Sequence, residues 1–437
     1  MKKFLIGIVC LAAVSCIGKP DPGTQDPQVK DPITIESPAP RNQITKVSLT
    51  EKEQGYMAAG NAMSFRFLNK LYNGKNLICS PLSLQYALAM TANGASGETL
   101  QEIIDFLGYG QDGIQALNAY SKKLIEELPA VDLDVTLKLT DAILVNDQFP
   151  LLPAFKQTVE SNYYAAVENM SFADPEYVAA RINEWAKRNT NGFIDKVLDG
   201  KDISEDAVAF LMNALYFKAK WEGSEYSPMF REYATAKEKF TLEDGTTKVV
   251  DMMNNERWHL YAKMDGYKVL ALPYAGGKFF MYILLPDSGK KLGDFLNVLQ
   301  NTPWSTITGS LKHDREVFLK LPKFDIEDKY YLTETLQALG VKRAFIKGDA
   351  QFDGMFAPKP GAWFYWIGKV IQKARISVAE WGTEAAAVTV VEMEGATSAG
   401  PGEEGPLYFY ADHPFVYVIG EATSGAILFE GVYTGIE

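Results

Sequence analysis

Cysteine and histidine are scarce in this chain of 437 residues, which contains three of each. Cys10 and Cys16 fall in the apolar N-terminal segment, so Cys79 is the only cysteine of the remaining chain. A single internal thiol leaves no intramolecular disulfide, and stability then depends on core packing. The histidines form no H-E-x-x-H motif and no cysteine pair exists, which argues against a zinc hydrolase. We expect no metal and no cofactor.

Positive charge is also in short supply, with 43 Lys and Arg against 55 Asp and Glu, a net charge of -12 and a pI near 5.0. Nucleic-acid binding needs a basic surface, so we expect no nucleic-acid partner. Hydrophobic residues make up 47% of the chain, enough for a large core in one composite domain. We expect a monomer.

Enzyme motifs are weak or absent. Residues 108–113 satisfy G-x-G-x-x-G, but they follow an amphipathic helix predicted at residues 100–107, whereas a dinucleotide site would follow a strand. No G-x-S-x-G elbow occurs. Composition leaves a Ser-His-Asp triad open, yet His413 precedes a proline in what resembles a structural motif. The chain is therefore not expected to be an enzyme.

The N-terminus resembles a bacterial leader. Lys2 and Lys3 precede an apolar run that is too short to span a membrane, and Ala13-Val14-Ser15-Cys16 resembles a loose lipobox. We expect residues 1–16 to act as a signal, with Cys16 lipidated after cleavage; plain secretion is the alternative. Residues 17–44, rich in Pro and Asp, are predicted to form an extended tether. The protein is expected on the bacterial outer membrane, on its periplasmic or its cell-surface side.

Residues 45–437 have the pattern of one α+β domain. Helical periodicity covers residues 51–71, 82–92 and 175–187, with Ser80-Pro81 as the start signal of the second helix. Strands are predicted at residues 279–285, 316–321, 375–379, 415–419 and 426–429. Helices crowd the first half and strands the second, which favours segregated layers.

Residues 379–397 combine features of an exposed loop and of a buried strand. Between Gly382 and Thr397 the three carboxylates (Glu384, Glu392 and Glu394) all have even numbers, whereas the odd positions from Thr383 to Met393 are uncharged. A strand in this register buries a small, uncharged face and leaves the carboxylates in water. The Ala-Ala-Ala run has poor strand propensity and Gly382 is a hinge, so an ordinary helix or edge strand is the alternative.

Ordered motifs accompany this segment. It matches E-x-G-T-E-A-A-A, and A-D-H-P-F and G-x-I-L-F-x-G follow at residues 411–415 and 425–431. Further motifs of the same protein family occur upstream, in the family's order, at residues 76–103, 182–198, 213–221, 321–324 and 336–345. The chain thus resembles the serpins, the serine protease inhibitor family, over about 390 residues. The resemblance implies helices packed on large mixed and antiparallel sheets, with a reactive-centre loop at about residues 380–406.

The resemblance also implies a mechanism. The nucleophile of a serine protease, or of a cysteine protease, attacks the loop and forms an acyl-enzyme. The cut loop then inserts as a strand of the main sheet. The hinge of this loop would consist of Glu380, Gly382, Thr383, Glu384, Ala385, Ala386, Ala387 and Thr389. A shutter under the opening strands would consist of Ser80, Ser83, Asn213 and Gln372. Trp221 would lie in the breach, where insertion begins.

Each of these residues also has an ordinary explanation. Taken singly, Ser80 and Ser83 fit a helix cap, Asn213 a satisfied core amide and Trp221 a core aromatic residue. Gln372 stands where many family members have a histidine. An amide hydrogen-bonds but does not titrate, so pH-sensitive opening through this position is lost.

The scissile bond is predicted between Ala396 and Thr397, with Met393-Glu394 as the second choice. Small residues favour elastase-like or subtilisin-like proteases, and Met393 would favour chymotrypsin-like enzymes. Residues 400–406, G-P-G-E-E-G-P, lengthen the leaving side and also fit a flexible spacer. A non-inhibitory serpin-like binding or structural protein is the alternative function. Small hinge residues favour inhibition over it.

Overall fold

The structure, a computed structural model, describes residues 6–16, 43–204, 206–224, 227–357, 364–382 and 405–436. Its helices are α1 (Glu51–Leu71), α2 (Pro81–Ala92), α3 (Gly97–Leu107), α4 (Gly113–Glu127), α5 (Pro153–Tyr163), α6 (Pro175–Asn189), α7 (Leu292–Leu299), α8 (Trp304–Gly309) and α9 (Thr333–Ala338).

Its strands are β1 (Ile6–Cys16), β2 (Leu77–Cys79), β3 (Thr136–Asn146), β4 (Ala166–Met170), β5 (Ala207–Lys218), β6 (Ala236–Thr241), β7 (Thr247–Trp258), β8 (Leu260–Met264), β9 (Tyr267–Pro273), β10 (Phe279–Pro286), β11 (Glu316–Pro322), β12 (Phe324–Tyr331), β13 (Tyr365–Val378), β14 (Leu407–Tyr410), β15 (Phe415–Glu421) and β16 (Ile427–Tyr433). The α+β class predicted from the sequence is confirmed.

Three sheets organise the described strands. The large sheet has the order β12-β13-β1-β5-β3-β4, and its neighbours are antiparallel except for β3 and β4. A second sheet has the order β2-β16-β15-β10-β9-β8, and a third has the order β14-β11-β7-β6. The long strands β5 and β13 lie on either side of β1, so the middle of the large sheet is built from three distant parts of the chain.

Helix α2 lies behind the large sheet as part of the main core. Ser80 caps it by accepting a hydrogen bond from the Ser83 amide at 3.1 Å, and Pro81 occupies the first turn, where no amide proton is needed. All its residues except Gln85 are buried, as expected for a helix that is apolar on every side. It packs against β1, β5 and β16.

Helix α6 covers the opposite face of the large sheet. Asp174 caps it, and its buried stripe includes Val178, Ile182 and Trp185. These side chains form a second core cluster that includes Phe210 and Met212 of β5. From Ala209 to Leu215 of β5, the even-numbered residues therefore face α6, while the odd-numbered ones face α2 and the main core.

Most elements predicted from the sequence occur in the structure. Helix α1 has the predicted bounds, and α2 and α6 agree within two residues. The segment predicted as a strand at residues 375–379 is the end of the longer β13, which stops at Val378. Gly108 ends α3 with a φ of 84° and Gly113 begins α4, which confirms the helix-ending loop. Cys79 is buried and free.

The apolar N-terminal segment forms strand β1 in the uncleaved chain. Its cleavage as a leader stays a prediction, and most of the tether lies outside the described residues. No helix in the described ranges has both the length and the apolar character needed to cross a membrane.

Candidate functional site at the centre of the large sheet

The site is built around the position between β5 and β13, which we call the central position. Strand β1 fills it and runs antiparallel to both neighbours. Cys10, in the middle of β1, pairs with Asn213 of β5 on one side and with Gln372 of β13 on the other. Strands β5 and β13 are thus about two strand spacings, or about 9.6 Å, apart. In this arrangement β1 satisfies the backbone groups with which β5 and β13 face each other.

Residues 379–382 lie at one end of the central position. The Trp221 indole donates a hydrogen bond to the Ala379 carbonyl at 2.8 Å and stacks on the Tyr274 ring with a centroid distance of 4.7 Å. Gly382 has a φ of 68°, and a Cβ atom there would lie 2.5 Å from the Lys220 Cα. Only glycine fits this close approach without strain. The chain thus passes from the end of β13 to the end of β5.

Glu380 fixes the start of this crossing. Its side chain is 4% exposed, lies 2.7 Å from the Lys323 ammonium and accepts a hydrogen bond from the Thr235 hydroxyl at 2.7 Å. Burial acts to raise the pKa of Glu380, but the hydrogen bonds from Lys323 and Thr235 outweigh it and hold the pKa below its usual value. We call Trp221, Thr235, Lys323 and Glu380 the breach cluster.

The four residues predicted for the shutter lie together at the middle of the central position. The Gln372 amide donates to the Ser80 carbonyl at 2.9 Å and accepts from the Ser80 amide at 3.1 Å. The Ser80 hydroxyl donates to the Leu428 carbonyl at 2.6 Å, and the Ser83 hydroxyl donates to the Asn213 side-chain oxygen. All four are fully buried. We call Ser80, Ser83, Asn213 and Gln372 the shutter cluster.

Two buried carboxyl groups adjoin the shutter cluster, and sequence analysis missed both. Asp141 of β3 accepts a hydrogen bond from the Asn213 amide at 2.9 Å, and burial raises its pKa to about 7 against the lowering effect of that bond. Glu430 of β16 accepts from the Cys79 thiol at 3.8 Å, and burial raises its pKa to about 8. Within the described residues, Asp141 Oδ2 and Glu430 Oε2 have no hydrogen-bond partner.

The remaining predicted site residues lie outside the described residues. They comprise the hinge from Thr383 onward and both candidate scissile bonds: Thr383, Glu384, Ala385, Ala386, Ala387, Thr389, Met393, Glu394, Ala396 and Thr397. Their roles stay predictions, as does the lipidation of Cys16.

The described part of the chain gives little support to a catalytic centre of its own. The two ring nitrogens of His413 lie 2.8 Å from the Asp412 carboxylate and 2.8 Å from the Pro286 carbonyl, so its imidazole faces no serine. Burial raises the pKa of the Cys79 thiol, which makes it a poor nucleophile. Within the described ranges, no group of three His, Cys, Asp or Glu residues is placed to hold a metal ion.

Comparison with known proteins defines the family. The family model described as Serpin (serine protease inhibitor) matches residues 58–435. The chain is 32% identical over 436 residues to an uncharacterized serpin-like protein of Thermococcus kodakarensis, a match that covers 98% of this chain and 97% of that protein. It is 30% identical over 367 residues to serine protease inhibitor 42Dd of Drosophila melanogaster, with 84% and 93% covered.

Solved structures agree. The fold is similar to that of the thermophilic serpin tengpin in its native state, with a TM-score of 0.76 and 28% identity over 90% of this chain and 96% of that one. The chain therefore belongs to the serpin family, as the ordered motifs predicted, and has the serpin fold. Serpins are in general protease inhibitors that bind target proteases, and they are generally not enzymes.

Proposed function

We propose that this chain inhibits serine proteases as a suicide substrate whose cut loop inserts at the central position. The polarity of that position is the main support, because its strand runs antiparallel to both β5 and β13. Strand β13 leads into residues 379–382, which cross to the end of β5. A strand that continues from Thr383 would therefore run in the direction that this position requires. Cysteine proteases fall under the same proposal, since their thiolate also forms an acyl intermediate.

The chemistry belongs to the target protease. Its serine hydroxyl attacks the carbonyl carbon of Ala396, the Ala396-Thr397 amide bond breaks, and the amine of Thr397 leaves with the proton delivered by the protease histidine. The product is an ester between Ala396 and the protease. Water would normally hydrolyse it. Insertion carries the ester to the far end of the sheet and distorts the protease before hydrolysis occurs.

The length of the central position suits the segment after the hinge. Strand β1 has 11 residues, and 11 residues from Thr383 end at Met393. With Thr383 at the position of Ile6, Ala387 would pair with Asn213 and Gln372 in the shutter cluster. The Ala396-Thr397 bond then falls just beyond the far end of the strand.

The face covered by α6 supports this register over its neighbours. Three successive positions on that face pair with Ala214, Met212 and Phe210, and the register gives them to Ala386, Val388 and Val390. Glu384 then pairs with Tyr216 and Arg375, outside the second core cluster, and Glu392 falls at the far end of that cluster, opposite Ala207. A shift of two residues in either direction would place one of these carboxylates deep under α6. Burying an unpaired carboxylate there would cost roughly several kcal/mol of the free energy of insertion.

The proposal is tested with a chain of residues 17–437 and a panel of elastase-like, subtilisin-like and chymotrypsin-like proteases. We expect a covalent complex that survives SDS with at least one of them, elastase-like and subtilisin-like enzymes being favoured by Ala396. Cleavage of the loop without any stable complex across the panel would favour the non-inhibitory alternative.

A matched pair of variants tests the insertion step. Thr383→Arg places a charge on the face that must be buried against the main core, whereas Glu384→Arg places the same charge beyond the edge of α6. We expect Thr383→Arg to be cut as a substrate with little complex, and Glu384→Arg to keep most of its complex. Equal complex yields from the two variants would argue against the register.

We also propose that the mature chain is exported and lipidated at Cys16, with residues 17–44 holding the domain away from the membrane. Acyl chains contribute about 0.8 kcal/mol per buried methylene to membrane binding. Cys16→Ala should therefore free the protein from the membrane fraction or block its processing. Normal processing together with retention in membranes would contradict the lipid anchor.

A further inference from the structure

The proposed mechanism gives no role to strand β1, although β1 occupies the middle of the large sheet. It makes a continuous ladder with both neighbours: eleven positions from Ile6 to Cys16 pair with β13, and ten from Ile6 to Ser15 pair with β5. Each ladder contains one register shift, near its Cys16 end. The backbone groups of β5 and β13 that face the central position are therefore satisfied by β1.

The reactive segment and β1 compete for the same place. Both would run antiparallel to β5 and β13, and the segment from Thr383 to Met393 matches β1 in length. The central position is one strand wide, so it holds one of the two segments at a time. A chain that keeps β1 in place has no room for the cut loop.

The predicted leader and β1 end at the same residue. Cleavage before Cys16 removes Ile6 to Ser15, which is all of β1 except its last residue. The connection from Cys16 to the first described residue of the domain, Gln43, is long enough for the segment to occupy the sheet or to leave it without moving α1. Loss of β1 leaves the facing edges of β5 and β13 free to pair with another strand.

We propose that residues 6–16 occupy the central position of the unprocessed chain. While this segment is in place the large sheet is complete, so the cut loop cannot insert and the chain does not inhibit. Inhibition requires that the segment be removed. The inference rests on the proposed insertion mechanism. The segment thus has two exclusive fates: it is a strand in the uncleaved chain, or it is a leader taken up for export. Inhibitory activity would then appear only after processing.

The test compares the chain of residues 1–437 with the chain of residues 17–437, both made without export and verified as unprocessed by intact mass. A protease that forms an SDS-stable complex with the shorter chain should cut the full chain with at least a tenfold lower yield of complex. Equal rates and yields for the two chains would overturn the inference and leave the proposed function standing.

A backbone variant separates occupancy from chain length. Leu11→Pro removes an amide from the middle of β1, where a proline is not accommodated between two paired neighbours. It should restore complex formation to the full chain, whereas Gln25→Pro in the tether should not. Failure of Leu11→Pro to raise the yield above that of Gln25→Pro would contradict the inference.

Amide hydrogen exchange gives a readout that does not depend on inhibition. In the full chain the amides of residues 6–16 should be protected to the same degree as those of β5, and Leu11→Pro should abolish that protection. Unprotected amides in the full chain would overturn the inference. If protection is found but neither chain forms a complex with any protease, occupancy stands and the proposed inhibitory function fails.

Discussion

The shutter cluster lies at the middle of the central position and the breach cluster at one end of it, and the two differ in charge and in access to water. Asn213 is 0% exposed, and its neighbour Asp141, 1% exposed with a pKa of about 7, keeps much of its carboxyl neutral near neutral pH. In the breach, Glu380 has a lowered pKa and pairs with Lys323, which is 37% exposed. The middle of the opening is thus held by dipoles and its end by an ion pair.

This difference separates two tasks. Hydroxyl and amide groups exchange one hydrogen-bond partner for another without leaving a charge in the core, so they suit a place through which a strand passes. An ion pair with one partner near water opens at a moderate cost and fixes the chain while it is closed. In the proposed mechanism, the shutter cluster would govern the stability of the sheet before insertion, and the breach cluster would govern when the crossing at residues 379–382 is released.

The largest expected effect lies in the shutter. Asn213→Leu leaves the Ser83 hydroxyl and the Asp141 carboxyl without the partner that joins them, and two orphaned buried groups at about 2 kcal/mol each predict a loss of about 4 kcal/mol. Denaturant unfolding measures this loss of unfolding free energy. The exposed Asn297→Leu is the control and should change stability by less than about 0.5 kcal/mol. A loss below about 1 kcal/mol for Asn213→Leu would contradict the central role of this amide.

Asp141 gives the shutter a pH dependence. Its pKa is raised in the folded chain, so its contribution is fully present below the unfolded pKa near 4 and is lost as pH rises through about 7. The slope is at most about 1.4 kcal/mol for each pH unit in this window. Asp141→Asn keeps an acceptor for Asn213 and should remove that slope. If the unfolding free energy of Asp141→Asn depends on pH in the same way as that of the parent chain, Asp141 is not the source of the pH dependence.

The breach should show a smaller effect of opposite sign. Glu380 has a lowered pKa, so its contribution is present above its unfolded pKa and is lost as pH falls through the folded value. Glu380→Gln should cost about 1 to 2 kcal/mol at neutral pH, because Lys323 is solvated once it is alone. A double-mutant cycle with Lys323→Met measures the pair. A coupling energy near zero between residues 380 and 323 would show that their ion pair does not stabilise the breach cluster.

Sequence patterns predicted the shutter residues but not their partner. Ser80, Ser83 and Asn213 stand in motifs with local order, and the resemblance to the family placed Gln372 with them. Asp141 is 72 residues from Asn213, and only the antiparallel register of β3 and β5 brings the two opposite each other. No local pattern encodes such a register. Sequence analysis missed Glu430 for the same reason, since the burial of its side chain depends on the pairing of β2 with β16.

The N-terminal segment shows a different limit. An apolar run of this length satisfies both a leader and a fully buried strand, and hydrophobicity alone does not separate them. What identifies β1 as a strand is the pair of open edges offered by β5 and β13, which lie about 200 and 360 residues further along the chain. The helices were easier, because α1 and α6 carry their own caps and periodic apolar stripes.

Thermal unfolding of the chain of residues 17–437, before and after cleavage between residues 391 and 397, tests the central claim most directly. Insertion at the central position adds hydrogen-bond ladders to β5 and β13 and buries Val391 and Met393. The cleaved chain should therefore unfold at a clearly higher temperature than the intact one, whereas an ordinary nicked loop lowers stability. A cleaved chain that melts at the same or a lower temperature would contradict the insertion mechanism.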